Sequence, residues 1–295
     1  MLADLVQNTL DGLAAGASYA LLAVGFTLIF GVLRRVNLSY GPAIMLGCYA
    51  ATFVHQSAGA GLLVLAFVCV LASVLAGAYV ERLCFAPHRS GSAIAAMVAS
   101  FALWMQLEEA AILALPRHLY AFPALYEGRP LTFAGFTLRF EALVMLAAAA
   151  LVCAGLWWIL YRTRFGVAAR AVTDSPLAAE LSGISVPRIS MGVFALASAI
   201  GGLAGFLISA SFEQVTPMLG MWSTLKGLLA MMLGGLGSLP GAVAGALVLG
   251  LVEAHSQWYF GPQLRDFLAF LLLFVLLALG PRWITAHGRM TSRHG

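Results

Sequence analysis

Charge is nearly missing from this sequence: Asp, Glu, Lys and Arg make up 9% of its 295 residues, against about 25% in soluble domains. That shortage excludes a soluble fold. Lysine is reduced to one residue, Lys226, beside fifteen arginines. In a soluble protein the net charge of +4 would suggest nucleic acid. Here the arginines cluster at the ends of apolar runs, where they set membrane orientation, and no nucleic-acid partner is expected. The four cysteines, Cys48, Cys69, Cys84 and Cys153, lie in or beside apolar runs without CxxC or ligand spacing. This excludes a disulfide framework and a zinc site and leaves packing roles. No G-x-x-x-x-G-K-[ST] is present, so the chain carries no ATPase site of its own. The turn GGLGSLPG (234–241) lacks the third glycine of a dinucleotide fingerprint. G-x-S-x-G, HExxH and paired carboxylates are also missing, and the six histidines do not cluster. No enzyme, cofactor or metal is expected. The start, MLADLVQNTLDG, holds Asp4 and Asp11 and no basic stretch, so a cleaved signal peptide is not expected.

What is abundant is apolar. Hydrophobic residues form 62% of the chain, enough for about nine crossings at ~20 residues each. The chain therefore reads as an all-α polytopic membrane protein, residues 1–295 forming one transmembrane domain. Runs bounded by charge or by Pro and Gly fall near 9–33, 38–56, 61–83, 92–115, 140–161, 188–212, 222–237, 239–258 and 265–281. The second, and the seventh with the eighth, have the punctuation of broken or re-entrant helices. With nine spans, Arg34, Arg35, Arg82, Arg89, Arg162, Arg164, Arg170, Arg188, Arg282, Arg289 and Arg293 share one side, and Arg117, Arg129, Arg139 and Arg265 the other. The first side is then cytoplasmic, the N-terminus outside and the C-terminal RWITAHGRMTSRHG inside. Two loops are long: 116–140, an aromatic and Arg-bearing outer segment lying against lipid headgroups, and 162–188, polar and cytoplasmic. Within the second, Asp174 or Ser175 can cap a helix over 175–182 that starts on Pro176 and stops at Gly183.

Charges inside spans are costly, about 2.5–3.5 kcal/mol each at the least, and mark partners or a watered path. Lys226 and Glu253 are such residues, and across the 234–241 turn their heights differ by about 6 Å, which a Lys side chain covers. Three roles are open to them: an interhelical pair, a part in substrate passage, or a reach by one or both to the outer headgroups. Gln106 and Glu109 share a face of the fourth span and line an outer vestibule, or else Glu108 and Glu109 lie near the outer interface and bond to neighbouring helices or Arg117. Small-residue spacings at Gly12/Gly16, Gly201/Gly205, Gly237/Gly241 and Gly241/Gly245 fit close helix packing, within the chain or between chains.

The run Leu177-Ala178-Ala179-x-x-x-Gly183 resembles the EAA-type loop of ABC importer permeases, with Leu177 where the common pattern has Glu. Together with FGVAARAVTDSPLAAELSGISVPR (165–188), GASYALLAVGFTLIFGVLRRVNLSYGPAIMLGCY (16–49), ERLCFAPHR (81–89) and LKGLLAMMLGGLGSLPGAVAGALVLGLVEA (225–254), it is similar to the branched-chain amino-acid (LIV) permease family, H-type subunit. After Asn37 the family usually reads Phe-Ala-His-Gly-Glu, whereas this sequence has Leu38, Ser39, Tyr40, Gly41 and Pro42. The resemblance implies an ABC importer permease bundle with a cytoplasmic coupling helix, in a bacterial inner membrane. Its partners would be a second permease subunit (M-type) or a second copy of itself, two cytoplasmic ATPase subunits that use the ATP, a periplasmic substrate-binding protein and membrane lipid. Arg170, Asp174, Ala178, Ala179, Gly183 and Ile184 would couple to the ATPase, and Asn37, Ser39 and Tyr40 would approach the path, with Gln106, Lys226 and Glu253 as further polar residues of the spans. The substrate would be a branched-chain or related amino acid, with urea or short amides as alternatives. An autonomous channel or secondary transporter is the competing class.

Overall fold

In lipid a backbone must satisfy its own hydrogen bonds, as helices or as a closed β-barrel, and this chain does so as helices. The computed structural model describes residues 2–88, 92–114, 119–126, 128, 131–133 and 136–278. Arg89, Arg117, His118, Glu127, Arg129 and the C-terminal stretch with Arg282, His287, Arg289, Arg293 and His294 lie outside the described residues. The elements are α1 (Leu2–Leu33), α2 (Tyr40–Ala58), α3 (Leu62–Val80) running into a π turn (Glu81–Phe85), α4 (Ala93–Ala114), β1 (Tyr120–Ala121), β2 (Leu131–Phe133), β3 (Phe136–Leu138), α5 (Phe140–Arg162), α6 (Arg164–Asp174), α7 (Pro176–Leu181), α8 (Val186–Phe212), β4 (Gln214–Val215), α9 (Met218–Gly234), α10 (Leu239–Phe260) and, after a 3₁₀ turn, α11 (Arg265–Ala278).

Each apolar run lies on a helix. Among the described residues six helices are long and apolar enough to cross a membrane: Asp4–Leu33, Leu62–Phe85, Ala93–Ala114, Phe140–Arg162, Val186–Phe212 and Leu239–Phe260; Met218–Gly234 is apolar but shorter. The all-α architecture holds, and the connections add two short strand pairs. β1 pairs antiparallel with β4, and β2 with β3, so the connections at one end hold small sheets. A second addition is α6, an eleven-residue helix that precedes the expected short one. Its sequence, RFGVAARAVTD, mixes charge with small residues and carries no long apolar run to announce it.

α1 and α8 are the most deeply buried of the long helices, and α4 and α5 the least. The pairing of α1 with α10 rests on glycine. A Cβ placed on Gly12 would lie 3.0 Å from the Leu251 Cα, and one on Gly16 2.9 Å from the Leu247 Cα, so the two backbones meet with no room for a side chain. Gly201 and Gly205 likewise receive Ile44 of α2. These small-residue spacings serve packing within the chain.

The connections separate into two ends. At one, the Gln7 side chain donates to the Thr137 carbonyl at 3.0 Å and the Phe122 amide donates to the Glu213 carbonyl at 2.9 Å. At the other, the Arg34–Arg35 turn, the π turn, α6, α7 and the start of α8 line one cavity.

Candidate functional site

Three features unite the polar residues. The first is a buried ionic cluster. Lys226 Nζ lies 2.5 Å from Glu253 Oε1 and 2.7 Å from Asp266 Oδ1. Arg265 donates to Glu253 Oε2 through Nε at 2.9 Å and Nη2 at 2.8 Å, and Tyr19 donates its hydroxyl to the same oxygen at 2.7 Å. Two cations and two carboxylates thus make a neutral cluster joining α1, α9, α10 and α11. Lys226 and Glu253 are buried, where an unpaired charge is most costly, while Asp266 reaches toward the surface. Sequence reasoning brought Lys226 and Glu253 together and missed Tyr19, Arg265 and Asp266. Arg265 and Asp266 sit beyond the Gly261–Pro262 turn, and only the return of α11 against α9 and α10 brings them in.

The second feature is the break between α1 and α2. Phe26 lies seven residues, about 10 Å, back from the end of α1, and its ring meets that of Tyr40 with centroids 4.6 Å apart. The chain has therefore re-entered the bundle before α2 begins. Its exposed amides need partners there. The Leu38 amide donates to Ser100 Oγ at 3.2 Å, the Ser39 amide to Asn37 Oδ1 at 3.0 Å and the Gly41 amide to Thr224 Oγ1 at 3.2 Å. Ser39 Oγ donates to the Ser100 carbonyl, and Tyr40 donates to the Ala197 carbonyl at 3.1 Å. Asn37, Ser39 and Tyr40 are buried and tie the start of α2 into the bundle. Gln106 lies instead on the exposed side of α4, accepting from the Tyr79 hydroxyl at 3.4 Å. Glu108 accepts from Trp104 Nε1 at 2.7 Å on its own helix.

The third feature is α7. Ser175, not Asp174, caps it, its Oγ accepting from the Ala178 amide at 3.3 Å, and Pro176 opens the first turn. Gly183 adopts φ 82°, and the Gly183 and Ile184 amides donate to the Glu180 and Ala179 carbonyls, both at 2.9 Å. That pair of bonds is a Schellman stop. The resulting phase turns Ala179 into the bundle (3% exposed) and leaves Leu177 (69%) and Leu181 (82%) outside. Ala178, Asp174 and Gly183 are exposed and Ile184 half-buried. Arg170 packs on α5, donating to the Leu160 carbonyl with its guanidinium 5.1 Å from the Tyr161 ring centroid.

The family model for branched-chain amino acid transport system permease components matches residues 8–277. The chain belongs to this family. It is a permease component, a transporter subunit and not itself an ATPase. It is 28% identical over 292 residues to the Escherichia coli K12 high-affinity branched-chain amino acid transport system permease protein LivH, covering 95% of this chain and 94% of that one. It is 28% identical over 291 residues to the corresponding Pseudomonas aeruginosa protein BraD, covering 95% of both. The permease fold is similar to that of PsaBC from Streptococcus pneumoniae in complex with Fab, at a TM-score of 0.55 and 11% identity over 96% of this chain and 97% of that one. The outward leucines of α7 are a feature that the sequence reading of this permease left out: inside an Ala-rich motif they read as helix formers, and only the helix phase sets them outward.

Proposed function

We propose that this permease forms part of the translocation path of a binding-protein-dependent ABC importer for branched-chain or related aliphatic amino acids in a bacterial inner membrane. In this reading the chain crosses nine times, on α1–α5 and α8–α11, with α2 re-entrant at its start. The N-terminus is outside, the C-terminus is cytoplasmic, and 162–188 faces the ATPase. A second permease chain, two ATPase subunits that use the ATP and a periplasmic binding protein complete the complex, and the permease needs no cofactor of its own. The observation that carries it is α7. A short helix stopped at both ends and presenting Leu177 and Leu181 to solvent has the form of a lever whose apolar side chains seat in another protein. Closure of the ATPases then pushes α7, and through its junctions with α6 and α8 the long helices.

The test is reconstitution. With ATPases, sister permease and binding protein in liposomes, labelled leucine uptake requires ATP; the permease by itself gives none. Uptake by the permease alone under a sodium or proton gradient would establish a secondary transporter instead, and ATP-driven uptake of urea but not leucine would change the substrate.

A further inference from the structure

A cavity of about 430 Å³ opens at the α7 end, walled by the end of α1, the π turn, α6, α7 and the start of α8. Its size falls in the range of small-ligand sites, about 300–1,000 Å³. Its lining sorts into three chemistries. Val172, Leu177 and Val186 form an apolar wall, Arg34 and Arg35 supply cations, and Glu180 supplies a carboxylate. Among the described residues neither Arg34 nor Glu180 takes part in an ion pair, although both line the same space. Arg34 ends α1 in a left-handed conformation, φ 54°, uncommon for a residue with a side chain.

A cation, an anion and an aliphatic wall in one cavity complement the three parts of an α-amino acid with an aliphatic side chain. Its carboxylate meets the guanidinium of Arg34, a charge-assisted pairing that suits the fork geometry of arginine. Its ammonium meets Glu180, and its side chain lies on Val172 and Val186. We infer that this cavity binds a free aliphatic amino acid from the cytoplasmic side and thereby slows transport. The inference rests on the proposed function for its orientation and for the class of transported solute. The route of the effect is α7. A ligand held between α7 and the ends of α1 and α8 stabilises this arrangement of the lever relative to any other, and a ligand shifts an equilibrium only through such differential binding. Product accumulating inside would therefore hold the lever still.

The experiment uses the assembled transporter in nanodiscs without binding protein and measures equilibrium binding of tritiated L-leucine. Arg34→Gln and Glu180→Gln are each expected to weaken binding by about ten- to hundredfold, the loss of one charge-assisted contact. Val172→Trp, which fills the cavity, is expected to abolish it. The carboxylate-free L-leucinamide and the amine-free 4-methylpentanoate should compete poorly. With binding protein enclosed in liposomes and the ATPases outside, saturating external L-leucine should lower stimulated ATP hydrolysis severalfold in the wild type and leave Glu180→Gln unaffected. No leucine binding, or equal binding to wild type, Arg34→Gln and Glu180→Gln, overturns the site. Because Glu180 is exposed, its variant keeps the test decisive should Val172→Trp misfold. Uptake is scored separately: a transporter that imports leucine but shows no variant-sensitive binding refutes this site alone, and one that imports another solute refutes the proposed function while the binding result stands.

Discussion

Lys226 is the chain's sole lysine, and its environment decides what its loss would do. It faces two carboxylates, and Glu253 keeps Arg265 and the Tyr19 hydroxyl when the lysine is removed. What changes is the sum: Lys226→Met leaves the cluster with one excess negative charge, and Glu253→Gln with one excess positive. Breaking a buried pair by removing one partner typically costs about 3–5 kcal/mol, while removing both partners together costs less than the sum. The expected outcome is a lower thermal unfolding midpoint in detergent for each single variant. Lys226→Met/Glu253→Gln, neutral again, should recover part of the combined loss. Strictly additive shifts in a double-mutant cycle would show that the residues act independently.

α7 separates two effects that its sequence alone would merge. Ala179 is buried against its own chain, so Ala179→Asp inserts a carboxylate into the permease interior, where an unpaired charge is costly. It should lower the stability of the permease itself. Leu181 is outside, so Leu181→Asp should leave permease folding unchanged within about 0.5 kcal/mol, as surface substitutions do, yet abolish co-purification of the ATPases and binding-protein-stimulated ATP hydrolysis. Gly183→Val forces a β-branched residue to φ 82°, a strain of about 1–3 kcal/mol. That should unwind the Schellman stop, lowering coupling while the protein stays inserted. Thermal midpoints and ATPase pull-down on the three variants sort them, and wild-type coupling in Leu181→Asp would remove α7 from the docking surface.

For the whole molecule the decisive property is sidedness. The two ends defined by the fold carry Arg34, Arg35, Arg82, Arg162, Arg164, Arg170 and Arg188 at one and Arg139 and Arg265 at the other among the described residues. An excess of arginine marks the cytoplasmic face. Thr137 and Ser185 are exposed at opposite ends. On a cysteine-free background, Thr137→Cys should react with an impermeant maleimide in intact cells, and Ser185→Cys only after the membrane is opened. The reverse pattern would invert the permease and take the coupling role of α7 with it.

The sequence by itself determined the class, because its information is compositional and local. The shortage of charge, the apolar runs and the arginine bias follow from the solvent the chain must live in, and Ser175, Pro176 and Gly183 announce the ends of α7 through contacts within a few residues. The approach of Lys226 to Glu253 was legible for the same reason, since one tight turn joins their helices. Only the tertiary structure decided the rest. Tyr19, Arg265 and Asp266 join the cluster across three helix–helix contacts that leave no local signal. Ser39, Tyr40 and the Gly41 amide fasten the start of α2 because Ser100, Ala197 and Thr224 arrive beside them from α4, α8 and α9. The outward phase of Leu177 and Leu181 was equally hidden: in a helix of six residues no periodicity accumulates, and which side faces the bundle is set by how α6 and α8 pack around it.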